Sequence, residues 1–136
     1  MGENIENGPK RSTHRTAFAL SALLAAMGVG HFRSPAFFDA IIPTGLPGKP
    51  RTYTYVSGAA EIGIAVLLAL PRTRGIGGGL AALLFVAVFP ANIKMTADAL
   101  AAPQSSTRWK VRALARLPLQ IPLITGALSV SRDARR

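Results

Sequence analysis

The chain has 136 residues, which suits a single domain, and a formal net charge of +10. Hydrophobic residues make up 49% of it and charged residues 16%, against about 25% charged residues in soluble domains, so the composition favours a membrane protein. The absence of cysteine excludes disulfides, thiolate metal sites and a cysteine nucleophile. With only two histidines, we expect no metal or haem site within one chain.

The basic residues bracket the apolar runs and do not form one patch or one helix face. They stand before the first run, between two runs and after the last run: Lys10, Arg11 and Arg15; Arg72 and Arg74; Arg132, Arg135 and Arg136. This distribution is typical of the charge that flanks membrane spans. No nucleic-acid recognition motif accompanies the charge, so we predict a lipid bilayer as the partner and no nucleic acid.

The first apolar run, TAFALSALLAAMGVG, follows a polar and basic start. We predict a disordered basic tail over residues 1–15 and a first span over residues 16–32, which is close to the lower length limit for crossing a bilayer. A secretory signal is disfavoured, because no small-x-small cleavage pattern follows the run and three more apolar runs come later.

Prolines and glycines punctuate residues 33–51 and indicate a loop. Within this loop, residues 36–42 place Phe37, Phe38 and Ile41 at helical spacing, which predicts a short surface helix after helix 1. Such a helix either caps the mouth of a helical bundle or lies in the lipid interface. We favour the cap.

Three further spans are predicted, at residues 53–70, 76–102 and 111–130. The second span is rich in small residues, which let helix backbones approach closely in lipid. Pro90 interrupts the third span, where its ring should free the Val86 carbonyl and kink the helix. The fourth span carries Pro118, where we predict a second kink.

Four spans with short connections predict an all-α, integral membrane, four-helix up-down bundle over residues 16–131, followed by a basic tail at 132–136. Lys94 and Arg116 fall inside the predicted helices. Without these two, eight basic residues flank the spans on the side of the termini and six on the other side. Because cytoplasmic flanks carry the excess of Lys and Arg, we predict a multi-pass protein of the inner (plasma) membrane with cytoplasmic termini.

Glu61 lies inside the second apolar run, where an unpaired carboxylate costs ~2.5–3.5 kcal/mol on insertion scales. The side chain should therefore be either paired or protonated. We favour a structural ion pair with Arg116 on the fourth span. The alternative is a proton-accepting or ligand-binding carboxylate.

His31 ends the first span and has two interpretations. It either hydrogen-bonds a backbone carbonyl at the helix C-terminus or acts as a proton relay or a donor to a quinone carbonyl. An up-down topology brings the polar residues of all four spans towards the non-cytoplasmic end. We therefore predict one polar cluster there, which acts as interhelical contacts or as a ligand pocket: Glu61, Arg116, Gln120, Asn92 and His31.

Five stretches in order, GVGHFRSPAFF, IIPTGLP, YVSGAAEIGIAVLLALPRTR, VFPANIKM and RLPLQIPLI, resemble the DoxX-like family of small bacterial membrane proteins. The resemblance covers residues 16–130 and implies a four-helix membrane fold. The family takes its name from a subunit associated with a quinone-reducing, sulfur-oxidising membrane complex. Other relatives look like accessory subunits of oxidative-stress or electron-transfer assemblies.

Two functions follow as hypotheses. The first is a non-catalytic accessory or scaffold subunit of a membrane redox or oxidative-stress system, in which the chain has no enzymatic activity of its own and no bound cofactor. The second is a binder of a quinone or another lipid-soluble small molecule, in a polar pocket that the kinks at Pro90 and Pro118 widen. A proton-coupled carrier is less favoured, because four spans would require a homo-oligomer.

Overall fold

A computed structural model describes residues 7–136, with side chains from residue 11 onwards. This part of the chain forms six helices: α1 (Asn7–Arg33), α2 (Pro35–Ile41), α3 (Pro50–Ala69), α4 (Arg74–Ala87), α5 (Phe89–Ala101) and α6 (Thr107–Asp133). Four stretches are long and apolar enough to cross a membrane: Arg11–Arg33, Pro50–Ala69, Arg74–Ala101 and Thr107–Asp133. The predicted all-α bundle with a short helix after helix 1 is confirmed, and the protein is a four-span membrane protein.

Helix α1 begins earlier than predicted. The disordered tail predicted for residues 1–15 is wrong for residues 7–15, which are helical; residues 1–6 lie outside the described part of the chain. The Thr13 hydroxyl donates to the Asp133 carboxylate at the far end of α6, which holds the second turn of α1 on α6. At the other terminus, α6 continues to Asp133, so the predicted tail at 132–136 begins inside the helix.

The four spans form a ring in which α1 packs on α3, α3 on α4, α4 on α6 and α6 on α1. Helices α3 and α6 therefore face each other across the diagonal. The apolar core lies within this ring and includes Leu24, Leu68, Phe85 and Val130. Large apolar side chains also point outward, such as Leu83 at 65% exposure, as expected of faces that contact lipid.

The third span is divided at Val88, between α4 and α5. Pro90 stands in the first turn of α5, where the missing N–H of proline is tolerated. By contrast, α6 is one continuous helix through Pro118 and Pro122, and a bend at Pro118 stays a prediction. Beyond the division, α5 packs on α6 and touches α2, which leaves a cleft between the α1–α3 pair and the α5–α6 pair.

The short helix α2 closes the mouth of this cleft. The Asp39 carboxylate accepts hydrogen bonds from the Thr54 hydroxyl at 2.6 Å and from Arg51 Nε at 2.8 Å, and these contacts hold α2 on the first turns of α3. The Thr54 hydrogen bond, with the Arg51 contact, lowers the pKa of Asp39. The Phe38 ring stacks on the His31 ring with centroids 3.7 Å apart, so the geometry agrees with the cap interpretation of this helix.

Candidate functional site

The site begins at a close crossing of α1 and α3, where each helix contributes a glycine. A Cβ on Gly58 would lie 2.8 Å from the His31 Cβ, and a Cβ on Gly28 would lie 2.8 Å from the Gly58 carbonyl oxygen. Real Cβ atoms do not approach that closely, so the backbones can meet only where both positions lack a side chain. Three residues further along each helix, on the same face, stand His31 and Glu61.

His31 and Glu61 form a close buried contact. The distance from His31 Nδ1 to Glu61 Oε2 is 3.1 Å, and the two side chains are 9% and 3% exposed. His31 Nδ1 also lies 2.8 Å from the Met27 carbonyl oxygen, which can only accept, so the Nδ1 hydrogen is directed there. Glu61 Oε2 is consequently buried without a hydrogen bond from any described residue.

The predicted ion pair between Glu61 and Arg116 is wrong. Glu61 pairs with His31, and Arg116 Nη1 instead lies 3.7 Å from the Met95 Sδ. The reason is the arrangement of the ring: α3 contacts α1 at the glycine crossing, whereas α6 lies across the diagonal. His31 bonds the Met27 carbonyl near the end of its helix, as the first of its two interpretations states. Its role as a proton relay or a donor to a quinone carbonyl stays a prediction.

Two amide side chains connect the third and fourth spans. Gln120 is buried; its Nε2 donates to the Phe85 carbonyl and its Oε1 accepts from Asn92 Nδ2 at 3.3 Å. The position of Pro90 predicted a free carbonyl at Val86. The carbonyl that accepts from Gln120 is that of Phe85, one residue earlier. One turn beyond Asn92, the Thr96 hydroxyl reaches the Ala113 carbonyl of α6 at 3.0 Å. The Gln120 bond satisfies a carbonyl close to the division between α4 and α5, as a membrane interior requires, and the Thr96 bond joins α5 to α6.

Four of the five residues in the predicted polar cluster line one small cavity of about 60 Å³: His31, Glu61, Asn92 and Arg116. Phe38 and Ile41 of α2 form its cover. The cavity has room for a few water molecules. All four spans and α2 contribute to its lining, so four of the predicted polar residues meet there.

A second cavity of about 370 Å³ adjoins the first and contains Gln120. The two cavities share Asn92 and Arg116. Together they make up what we call the cleft, between the α1–α3 pair and the α5–α6 pair. The wall of the second cavity is apolar and includes Leu23, Phe85, Leu119 and Leu123. Leu23 and Leu119 are 37% and 54% exposed, so this cavity is open at the side of the bundle, on a surface that we expect to face lipid.

Sequence reasoning missed three contributors to the site, namely Met27, Phe38 and Met95. The positions of Gly28 and Gly58 in the sequence could have indicated that His31 and Glu61 form the pair. Each stands three residues before the polar residue of its helix, and a close glycine crossing would place the two polar side chains together.

A family model described as "Domain of unknown function (DUF8561)" matches residues 20–131 of the chain. No curated protein and no solved structure matches it. The DoxX-like resemblance therefore stays a prediction. The family match includes the second and third spans, most of the first and fourth spans, and every residue of the cleft. The chain belongs to the family described as Domain of unknown function (DUF8561).

Proposed function

We propose that this membrane protein binds a lipid-soluble small molecule whose polar headgroup enters the cleft. The observation that carries the proposal is the buried Oε2 of Glu61, which has no hydrogen bond from the described residues and lines the smaller cavity. A buried acceptor without a donor costs about 1–3 kcal/mol, and more when it is charged. A ligand with a hydroxyl or another donor would remove this cost, which favours binding.

The lateral opening of the larger cavity supports the same function. A molecule dissolved in the bilayer can pass between the partly exposed Leu23 and Leu119 without crossing the aqueous phase. Pockets of this kind combine apolar walls with a few convergent polar groups, which fix the orientation of the ligand. A quinol would satisfy Glu61 by donating a hydroxyl hydrogen.

The accessory-subunit function implied by the DoxX-like resemblance stays a separate proposal. A redox partner or a second copy of the chain would dock on the outward apolar faces, for example around Val56 and Ile121, whereas the ligand enters the cleft. Binding in the cleft and association on the outer faces are therefore compatible. The orientation with cytoplasmic termini in the inner membrane belongs to the same set of proposals.

Native mass spectrometry of the protein purified gently in a non-ionic detergent tests the proposed function. The wild type should retain a lipid-soluble molecule that is enriched over the bulk lipid, and the Glu61→Gln variant should lose it. Asp98→Asn is the matched control, because Asp98 is an exposed acid on α5 that pairs with Lys94. Thermal unfolding of both variants verifies that they are folded.

Two results would contradict the proposal. One is a wild-type protein that carries nothing enriched over the bulk lipid. The other is a folded Glu61→Gln variant that retains the same molecule in the same amount as the wild type.

A further inference from the structure

We infer that the ligand of the cleft is an anionic amphiphile, with an acidic headgroup on Arg116 and an alkyl chain in the larger cavity. This inference rests on the proposed function and narrows it to a class of ligand. The shared chemistry is a single acidic group on a long apolar chain. A fatty-acid carboxylate and a lysolipid phosphate are its two sources.

The first argument is the pairing of the acids. Within the described side chains, Asp39 pairs with Arg51, Glu61 with His31 and Asp98 with Lys94, and Asp133 accepts from Thr13. No described carboxylate forms an ion pair with Arg116. The contact that Arg116 makes is with the Met95 thioether, which is a weak acceptor. Among the residues that the structure describes, the guanidinium in the cleft therefore lacks an anion.

The second argument is the depth of Arg116 in the membrane. It lies nine residues after the start of α6 at Thr107, or ~13 Å along the helix axis at 1.5 Å per residue. The whole of α6 is ~40 Å long by the same measure. If a hydrocarbon layer of ~30 Å is centred on it, Arg116 lies ~8 Å inside that layer. Arg116 is exposed on the bundle, so at this depth its guanidinium would meet the cleft or the lipid. An unpaired guanidinium in hydrocarbon is unfavourable, and an anion beside it would relieve this cost.

The third argument is the position of the groups around the headgroup. Arg116 and Glu61 line the same small cavity without pairing. A headgroup that carries an acidic oxygen and an exchangeable hydrogen can accept from Arg116 and donate to Glu61 Oε2. A carboxyl group that shares its proton with Glu61, or a lysolipid with a free hydroxyl, has both properties. A simple alcohol supplies the donor and leaves Arg116 without an anion.

The fourth argument is the place of the chain. From Arg116 to Leu123 the wall of the larger cavity runs seven residues along α6, which is ~10 Å. Phe85 and Leu119 complete an apolar lining, so an alkyl chain attached to a headgroup at Arg116 would extend along α6 towards the opposite membrane face. The lateral opening allows the rest of a longer chain to lie in the bilayer.

The test compares four probes with one chain length in non-ionic micelles at mildly alkaline pH: oleate, oleoyl lysophosphatidate, oleyl alcohol and oleylamine. We expect one of the two anions to raise the thermal unfolding midpoint of the wild type, and the more effective anion identifies the source. Arg116→Gln should weaken that binding at least about tenfold, equivalent to 1.4 kcal/mol. Arg112 is exposed like Arg116 and stands one turn earlier on α6, but it lines neither cavity. Arg112→Gln should therefore bind like the wild type.

Arg116→Lys retains the charge and should keep most of the binding, which separates a lost anion site from a loss of folding. The inference is overturned if neither anion stabilises the wild type, or if folded Arg116→Gln binds oleate or lysophosphatidate as the wild type does. It is also overturned if oleyl alcohol binds as tightly as the anions. In that last case, if Glu61→Gln loses the binding of oleyl alcohol, the proposed function stands and only the anionic character of the ligand is rejected.

Discussion

Replacing Gly58 by alanine tests the crossing of α1 and α3 that holds His31 against Glu61. The new methyl group would lie 2.8 Å from the His31 Cβ, 2.9 Å from a Phe32 ring carbon and 3.1 Å from the Gly28 carbonyl oxygen. The first and the last of these atoms are fixed to the backbone, so a movement of the Phe32 ring alone cannot relieve the crowding. The two helices must separate, and the contact between His31 and Glu61 must lengthen.

The magnitude follows from a comparison with Gly63→Ala on the same helix. Gly63 has open space around it, because no atom outside its own part of the helix lies within 4 Å of a Cβ. Both substitutions gain the ~0.5–1 kcal/mol by which alanine favours a helix over glycine. That gain cancels in the difference, which leaves the overpacking cost of ~1–3 kcal/mol at Gly58. Gly58→Ala should therefore be less stable than Gly63→Ala by that amount.

The assay is unfolding in mixed micelles by titration with a denaturing detergent, followed by the loss of helical circular dichroism. Gly63→Ala should be at least as stable as the wild type. Gly58→Ala should unfold at a lower fraction of denaturing detergent than Gly63→Ala does. Gly58→Ala should also lose retention of the co-purified ligand, because the acid of the cleft moves. Equal stability of the two alanine variants would refute the close crossing on which the site depends.

Three further predictions concern the remaining polar contacts. Because the pKa of Asp39 is lowered on folding, its stabilisation of the α2 cap should be present above about pH 4, the ordinary pKa of the group, and should be lost as the pH falls through the lowered pKa. Hydrogen exchange of α2 should show this loss, and Thr54→Val should reduce the pH dependence. Gln120→Leu removes both amide bonds between the third and fourth spans and should lower the free energy of unfolding by ~0.6–1.7 kcal/mol in the same detergent titration. Arg74→Met, which removes the buried guanidinium from the carbonyls at the end of α3, should cost ~1.5–3 kcal/mol, while exposed Arg72→Met should change the detergent midpoint little.

The helices were predictable because each depends on a local pattern. The four apolar runs and the basic residues between them specify four spans, and the prolines near 35–50 specify the loop that holds α2. The first helix was predicted too short, because polarity indicated a tail at residues 7–15. The contact between Thr13 and Asp133 joins residues at opposite ends of the chain, and no local pattern reveals it.

The partner of Glu61 illustrates the division between sequence and tertiary structure. The sequence determined that an acid inside an apolar helix needs a partner, since a carboxylate is costly in hydrocarbon, and it placed the candidate partners near the same end of the bundle. Which candidate meets the acid depends on the order of helices around the ring and on where two backbones approach most closely. The close crossing at Gly28 and Gly58 placed His31 against Glu61. The diagonal position of α6 left Arg116 lining the cleft without an acid partner. The sequence could not determine this choice, because the distances between helices are set by packing and not by the spacing of residues within any one helix.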